Sequence, residues 1–245
     1  MKRFSKLIPY MTLVAGFVGA LLRLWLHSTR GDDGFVARGH ISIILLLVLT
    51  TGVLAALLLA CRYFRQANKY DYNFPASAAG GIGSALGALG IAAVSVTELV
   101  TAGSTVELVM ALTGLLAVAA LAFLSYGRWK GHQLSVVFHS VICVYLMLRL
   151  FCMYRVWCAD PQLEDYTFEL LALACGMIAV YHRATFNADF GSRRAYVFFN
   201  LTTVYFCCVS LVGSSAVFYL AMGVWMLTDL CNLTPMPKEF WEKKA

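Results

Sequence analysis

Apolar segments long enough to cross a lipid bilayer follow one another along almost the whole chain. A transmembrane helix needs about 20 consecutive, predominantly apolar residues, and the segments 7–26, 39–63, 105–126 and 133–157 meet this requirement with few charged residues. The chain is 60% hydrophobic and only 13% charged, whereas soluble domains are about 25% charged. This pattern excludes a soluble globular domain and predicts an all-α, polytopic membrane helix bundle.

Two further apolar blocks are too long for a single crossing. As one helix, residues 76–126 would extend about 75 Å and residues 195–230 about 54 Å, against a hydrocarbon core of about 30 Å. A polar break at residues 101–105 divides the first block, and a turn at Gly213, Ser214 and Ser215 divides the second. The sequence therefore predicts one integral membrane domain, residues 1–245, with eight transmembrane helices. Their predicted ranges are 7–26, 39–63, 76–100, 105–126, 133–157, 166–186, 195–212 and 214–231.

The distribution of basic residues predicts the orientation of these helices. Lys and Arg collect in the cytoplasmic loops of membrane proteins, and with both termini inside, that side carries 14 of the 19 basic residues. These are Lys2, Arg3, Lys6, Arg62, Arg65, Lys69, Arg128, Lys130, Arg183, Arg193, Arg194, Lys238, Lys243 and Lys244. We therefore expect a cell-membrane protein with both termini cytoplasmic, whose net charge of +6 reflects its topology. A basic stripe with interleaved aromatic residues is absent from the sequence, which argues against a nucleic-acid partner.

Arg149 is the most informative single residue for function. It lies about two turns before the outer end of the fifth predicted helix, with Tyr145 on the same stripe at i−4. An ionised Arg facing lipid there would cost at least a few kcal/mol, so it should face the bundle and find an acidic partner. The candidate partners are Glu98, Glu107 and Glu169, and Tyr166 shares the stripe of Glu169. This group predicts either an outward-facing polar cavity in which Arg149 binds a solute, or a structural ion pair.

The other ionisable residues near membrane depth have more ordinary interpretations. Arg23 is about one turn from the interface, where its long side chain is expected to reach the headgroups. His139 is predicted to be a buried, neutral residue hydrogen-bonded to Ser140 or to backbone, with a proton-relay role as the alternative. His182 is expected to anchor its helix at the cytoplasmic interface, and Asp229 to lie at the inner headgroup level.

Small residues on the third and sixth predicted helices favour close helix packing. Gly83-x-x-x-Gly87 lies in an apolar span and lacks the Lys-Ser/Thr of a phosphate-binding loop. The pattern therefore predicts close approach of a neighbouring helix rather than nucleotide binding. Ala172, Gly176 and Ala179 form a similar seam.

Signatures of catalysis, cofactor attachment and metal binding are absent from the sequence. It contains no Gly-x-Ser-x-Gly elbow and no His-Glu-x-x-His pair, and no Lys falls inside a predicted span. The 8 cysteines show no Cys-x-x-Cys spacing, and they are expected to be free thiols. We therefore expect neither an enzyme nor a metal or cofactor site.

Two functions of different classes remain open. The first is a small carrier or solute-binding protein, whose cavity for a small polar or anionic solute is lined by Arg149, Tyr145 and Glu169. Its partners would be the bilayer and that solute. The second is a non-catalytic scaffold, assembly or sensor subunit that contacts other membrane proteins, or copies of itself, through helix–helix packing.

Overall fold

The computed structural model describes residues 2–29, 40–62, 64, 66–158, 166–213 and 215–231, and this part of the chain is helical without strands. The helices are α1 Lys2–Ser28, α2 Ile41–Arg62, α3 Tyr70–Asn73, α4 Ala78–Thr101, α5 Thr105–Lys130, α6 Val136–Trp157, α7 Thr167–Thr185, α8 Arg193–Val209 and α9 Ala216–Cys231. Short 3₁₀ turns, Phe186–Ala188 and Ser210–Val212, follow α7 and α8. The predicted all-helical fold is confirmed.

Six of these helices contain segments long and apolar enough to cross a membrane. They are Leu7–Ser28, Ile41–Arg62, Ala78–Thr101, Thr105–Lys130, Val136–Trp157 and Arg193–Val212. The other two long helices, α7 and α9, fall below that standard for different reasons. Glu169, His182 and Arg183 make α7 more polar, and the apolar part of α9 is short. The bundle therefore has several apolar helices, consistent with a multi-pass membrane protein.

Local signals in the sequence explain where the helices begin and end. The predicted polar break separates α4 from α5, since Ser104 caps α5 and Glu107 completes a capping box by accepting from the Ser104 backbone N–H. The other end of α5 lies four residues beyond the predicted boundary, and Gly131 ends it in the left-handed conformation with φ 74°. The predicted turn after α8 is present at Gly213 and Ser215. The short helix α3, between α2 and α4, was not predicted.

Some predicted features lie outside the described residues. They are the loop residues 30–39, the acidic loop residues 159–165, Tyr63, Arg65, Ser214 and the tail residues 232–245.

Contacts between helix ends show that the eight long helices of the described chain alternate in direction. The last turn of α4 meets the C-terminal half of α6 where Arg149 contacts Glu98, and the end of α1 meets the start of α7 where Arg23 contacts Glu169. We call this side of the bundle the Glu98 end. At the opposite side, the Asp229 end, the last turns of α5, α7 and α9 meet around Asp229.

Helix α8 lies at the centre of the bundle and α2 at its edge. Helix α8 packs against α1, α2, α7 and α9, and every residue from 200 to 210 is buried. In its most apolar stretch 72% of the residues are buried, against 11% in α2. Most of the apolar surface of α2 is therefore left for lipid or for another protein.

Glycines bring α4 into close contact with α9. A Cβ atom built on Gly87 would lie 2.7 Å from Trp225 Cβ and 3.2 Å from the Ala221 carbonyl oxygen, and one on Gly83 would overlap Thr228. The Gly83-x-x-x-Gly87 pattern thus acts as predicted, because only hydrogen at these positions allows the two backbones to approach so closely.

We expect Gly87→Ala to destabilise the protein by about 1–3 kcal/mol, because the added methyl group forces α4 away from Trp225. Gly52→Ala in α2 is the matched control, since nothing lies within 4 Å of a Cβ at that position. The control should be neutral, or more stable by up to about 1 kcal/mol, because Ala favours helix over Gly. Thermal unfolding in detergent micelles measures both, and equal effects would contradict the close packing.

Candidate functional site

The side chain of Arg149 extends from α6 into the bundle, toward α4. Its side chain has no solvent exposure, and its Nη1 donates to Glu98 Oε1 at 2.9 Å and to Tyr145 Oη at 3.2 Å. Tyr145 lies one turn earlier on the same face of α6, so the helix itself aligns the hydroxyl with the guanidinium. Of the three carboxylates that the sequence suggested as partners, Arg149 pairs with Glu98.

An aromatic ring covers another side of the same guanidinium. Arg149 Cζ lies 4.1 Å from the centre of the Phe218 ring on α9, which is a cation–π contact. The Phe218 ring also packs edge-on against Tyr145. Among the described residues, Arg149 Nε and Nη2 have no hydrogen-bond partner, and neither does Glu98 Oε2. The group therefore holds two donors and one acceptor that a polar molecule could bind.

Arg23 is the main correction to the sequence analysis at this end of the bundle. Its side chain does not reach the interface but is buried, with Nη2 donating to Glu169 Oε1 at 3.0 Å and Nη1 to the Val209 carbonyl oxygen at 3.3 Å. Gly16 and Gly19 share its face of α1 and let α1 approach α8 closely, since a Cβ on Gly16 would lie 2.6 Å from Cys208 Cβ. That close approach turns Arg23 toward α7.

Tyr219 of α9 packs edge-on against Phe218, whose ring contacts Arg149. It is fully buried, and its hydroxyl has no hydrogen-bond partner in the part of the chain that the structure describes. We call Arg23, Glu98, Tyr145, Arg149, Glu169 and Tyr219 the Glu98-end cluster. Among the described residues, it contains two guanidiniums and two carboxylates.

Two residues that the sequence grouped with Arg149 lie elsewhere. Glu107 is exposed, and its carboxylate caps α5 by accepting from the backbone N–H of Gly103 at 2.8 Å. Tyr166 stacks on Trp157, with ring centroids 4.6 Å apart and planes 10° from parallel. Of the predicted ligand-binding residues, the structure therefore brings together Arg149, Tyr145 and Glu98, while Glu169 pairs with Arg23.

The sequence did not predict a second buried ionic group, which lies at the Asp229 end. Arg128 and Arg183 were predicted to mark cytoplasmic loops and Asp229 to lie at the headgroups, yet all three are buried and form ion pairs. The spacing of residues on α7 contained a signal for the burial of Arg183. Arg183 continues the small-residue seam Ala172-Gly176-Ala179 of α7, so it shares the face that packs into the bundle.

Within the described part of the chain, His139 and His182 at this end form no ion pair. His139 is buried as expected, but the Ser140 hydroxyl donates to the Val136 carbonyl oxygen rather than to the ring. His182 is partly buried and stacks on Phe199, with ring centroids 5.6 Å apart. Within the described chain, no three His, Cys, Asp or Glu side chains group as metal ligands.

Comparisons of the chain with the family models, with curated proteins and with solved structures find no match.

We expect Arg149→Met to destabilise the protein by about 3 kcal/mol, because it leaves Glu98 without its partner in a largely apolar setting. The double variant Arg149→Met/Glu98→Met should recover about 1–3 kcal/mol of that loss, since it removes both charges together. Unfolding in detergent measures both.

Arg155→Met is the matched control, because Arg155 lies on the same helix but is exposed. Its effect should stay within about 0.5 kcal/mol. Additive losses in the double variant would show that Arg149 and Glu98 do not stabilise each other.

Proposed function

We propose that all eight long helices cross the bilayer, with both termini in the cytoplasm. The alternating helix directions support this, since an even number of crossings returns the chain to its starting side. Helices α7 and α9 are less apolar or shorter than the rest, but their ionised residues Glu169, Arg183 and Asp229 are buried within the protein rather than exposed to lipid. An interior location is where membrane proteins tolerate such residues.

The charge difference between the ends supports the orientation. Among the described residues, the basic side chains at the Asp229 end are more numerous than those at the Glu98 end, which are Arg23, Arg149 and Arg155. Those at the Asp229 end include Arg62, Lys69, Arg128, Lys130, Arg183, Arg193 and Arg194. An excess of Lys and Arg is typical of the cytoplasmic side. The Asp229 end is therefore cytoplasmic in this proposal.

Thiol labelling tests the orientation. Cys158 is exposed at the Glu98 end and should react with a membrane-impermeant maleimide in intact cells. A cysteine placed at the exposed Lys130, in a Cys158→Ser background, should react only after the cells are permeabilised. The Cys158→Ser protein alone supplies the background signal. Labelling with the opposite preference would overturn the orientation.

We propose that the protein is a carrier for a small polar solute and that the Glu98-end cluster binds it. The observation that supports this is that Arg149 is completely buried, yet two of its guanidinium nitrogens, Nε and Nη2, have no partner among the described residues. Ionisable residues at membrane depth are costly to maintain, and they commonly mark substrate or ion pathways. A polar ligand could accept hydrogen bonds from Arg149 Nε and Nη2 and form another with the Tyr219 hydroxyl.

The Arg149–Glu98 pair indicates the class of solute. A guanidinium alone would favour an anion, but Arg149 lies beside the Glu98 carboxylate. A solute with both a carboxylate and an ammonium group, such as an amino acid, could bind to Arg149 through the first and to Glu98 through the second. The pair therefore favours a zwitterionic or neutral polar solute over a simple anion.

The enclosed position of Arg149 corresponds to a closed state of such a carrier. A solute would reach the cluster when α4 and α6 move apart from α9, which would separate Arg149 from Phe218.

The alternative function is a scaffold that acts through helix–helix contacts. The observation that favours it is the apolar surface of α2, of which only 11% of the most apolar stretch is buried. A partner helix could cover that surface. In this alternative, Arg149 and Glu98 are a structural ion pair and no solute stabilises the protein.

A thermal-shift screen distinguishes the two functions. It measures the change in Tm when amino acids, other zwitterions or small anions are added. A solute at 100 times its Kd stabilises a protein by about 2.7 kcal/mol, which raises Tm by about 5–10 °C in a chain of this size. We expect such a shift for the wild type with a zwitterion, and none for Arg149→Met/Glu98→Met.

Arg155→Met should respond as the wild type does. If no solute shifts the wild type, or if the double variant keeps the shift, the carrier proposal is wrong and the scaffold is favoured.

A further inference from the structure

The buried ionic group at the Asp229 end does not balance its charges. Arg183 Nη1 donates to Asp229 Oδ2, and Arg128 Nε lies 3.9 Å from Asp229 Oδ1. The relative exposure of Arg128, Arg183 and Asp229 is 1%, 2% and 0%. Two guanidiniums thus share one carboxylate, so the three side chains together carry one excess positive charge.

Neutral groups surround this charge. The guanidinium carbons of Arg128 and Arg183 lie 5.2 Å and 5.5 Å from the centre of the Phe74 ring, which also packs against Tyr196. The Tyr196 hydroxyl accepts a hydrogen bond from Asn200 Nδ2 at 3.1 Å. Cation–π contact with one shared ring attracts both cations but supplies no negative charge.

Several donors of the two arginines are unused. Arg128 Nε and Nη2 and Arg183 Nε have no hydrogen-bond partner within the described part of the chain. Buried N–H groups of a cation that lack acceptors are unfavourable in a medium of low dielectric constant, and one carboxylate offsets only one of the two positive charges.

One short segment covers the site. Residues 74–77 connect α3 to α4, and Arg128 Nη1 donates to the Pro75 carbonyl oxygen, while the Ser77 backbone N–H donates to the Arg128 carbonyl oxygen at 3.0 Å. These bonds and the Phe74 ring hold the segment over the arginines. Displacing it would open the site toward the basic end of the bundle without moving a long helix.

We propose that Arg128 and Arg183 form a binding site for an anionic phosphate group. Guanidinium forks bind phosphate oxygens in pairs, and a phosphate offers several acceptors to the unused N–H groups. The site lies at the ends of three helices, a depth that the phosphate of a lipid headgroup can reach, and basic pockets between transmembrane helices bind such headgroups. The ligand is thus either an anionic lipid or a free phosphate. The inference does not rest on the carrier proposal.

The experiment uses the full-length protein in a neutral maltoside detergent and measures thermal stability. The probes are phosphatidylglycerol, phosphatidylcholine and inorganic phosphate. Phosphatidylcholine is the control lipid, because its choline cation cancels the phosphate charge. We expect phosphatidylglycerol, inorganic phosphate or both to raise Tm of the wild type, and phosphatidylcholine to leave it unchanged. A response to phosphatidylglycerol alone identifies a headgroup site, and a response to inorganic phosphate alone identifies a site for free phosphate.

Asp229→Asn separates an anion site from a structural ion pair. Removing the carboxylate that competes with the ligand should increase the apparent affinity for the active probe about tenfold, which corresponds to about 1.4 kcal/mol. Arg128→Gln should abolish the response, while Lys130→Gln, which removes an exposed charge two residues away, should keep it.

The proposal is overturned if neither anionic probe stabilises the wild type. It is also overturned if Asp229→Asn binds the probe no more tightly, or if Lys130→Gln loses the response as Arg128→Gln does. Should Arg128→Gln fail to fold, the Asp229→Asn affinity decides alone. If Asp229→Asn also fails to fold, native mass spectrometry of the wild type decides: retained phosphatidylglycerol or phosphate supports the site, and release of both overturns it.

Discussion

Guanidinium groups inside an apolar bundle need partners on other helices, and this need determines which helices of the protein meet. In lipid, apolar side chains gain little by leaving one apolar environment for another, so packing and polar contacts carry much of the specificity between helices. Arg23 connects α1 to α7, and Arg149 connects α4 to α6. Arg128 and Arg183 connect α5 and α7 to α9 through Asp229. Ion pairs thus tie together helices that are distant in sequence, at both ends of the bundle.

Close backbone packing complements these ion pairs. Gly87 lets α4 lie against Trp225 of α9, and Gly16 lets α1 lie against α8 at Cys208. These contacts bring the ends of the helices close enough for short side-chain bonds. An arginine that follows such a glycine on the same face is carried into the bundle, as happens when Arg23 follows Gly19 by one turn. Small residues and buried charges therefore act together rather than as separate features.

Among the described residues, the two ionic groups differ in their ratio of charges. In the Glu98-end cluster each arginine pairs with its own carboxylate, whereas at the Asp229 end two guanidiniums share one carboxylate. A carboxylate beside an arginine favours a solute that carries both charges or none, and an excess of arginine favours an anion. This difference is the reason that we propose different ligands for the two ends.

The sequence by itself determined the helical class of the fold, the position of most helix ends and the burial of Arg149. These follow from local properties: apolar length, capping residues such as Ser104 and Gly131, and the cost of placing a charge against lipid. Tyr145 could also be placed beside Arg149, because both lie on one face of one helix.

Only the tertiary structure decided which carboxylate each arginine meets. Glu98, Glu107 and Glu169 were equivalent in the sequence, since partner choice depends on the order and rotation of helices around the bundle. For the same reason Arg23 and Arg128 looked like interface residues. A long charged side chain near a helix end can reach either water or the interior, and the packing of the neighbouring helices determines whether a partner is there to make burial favourable.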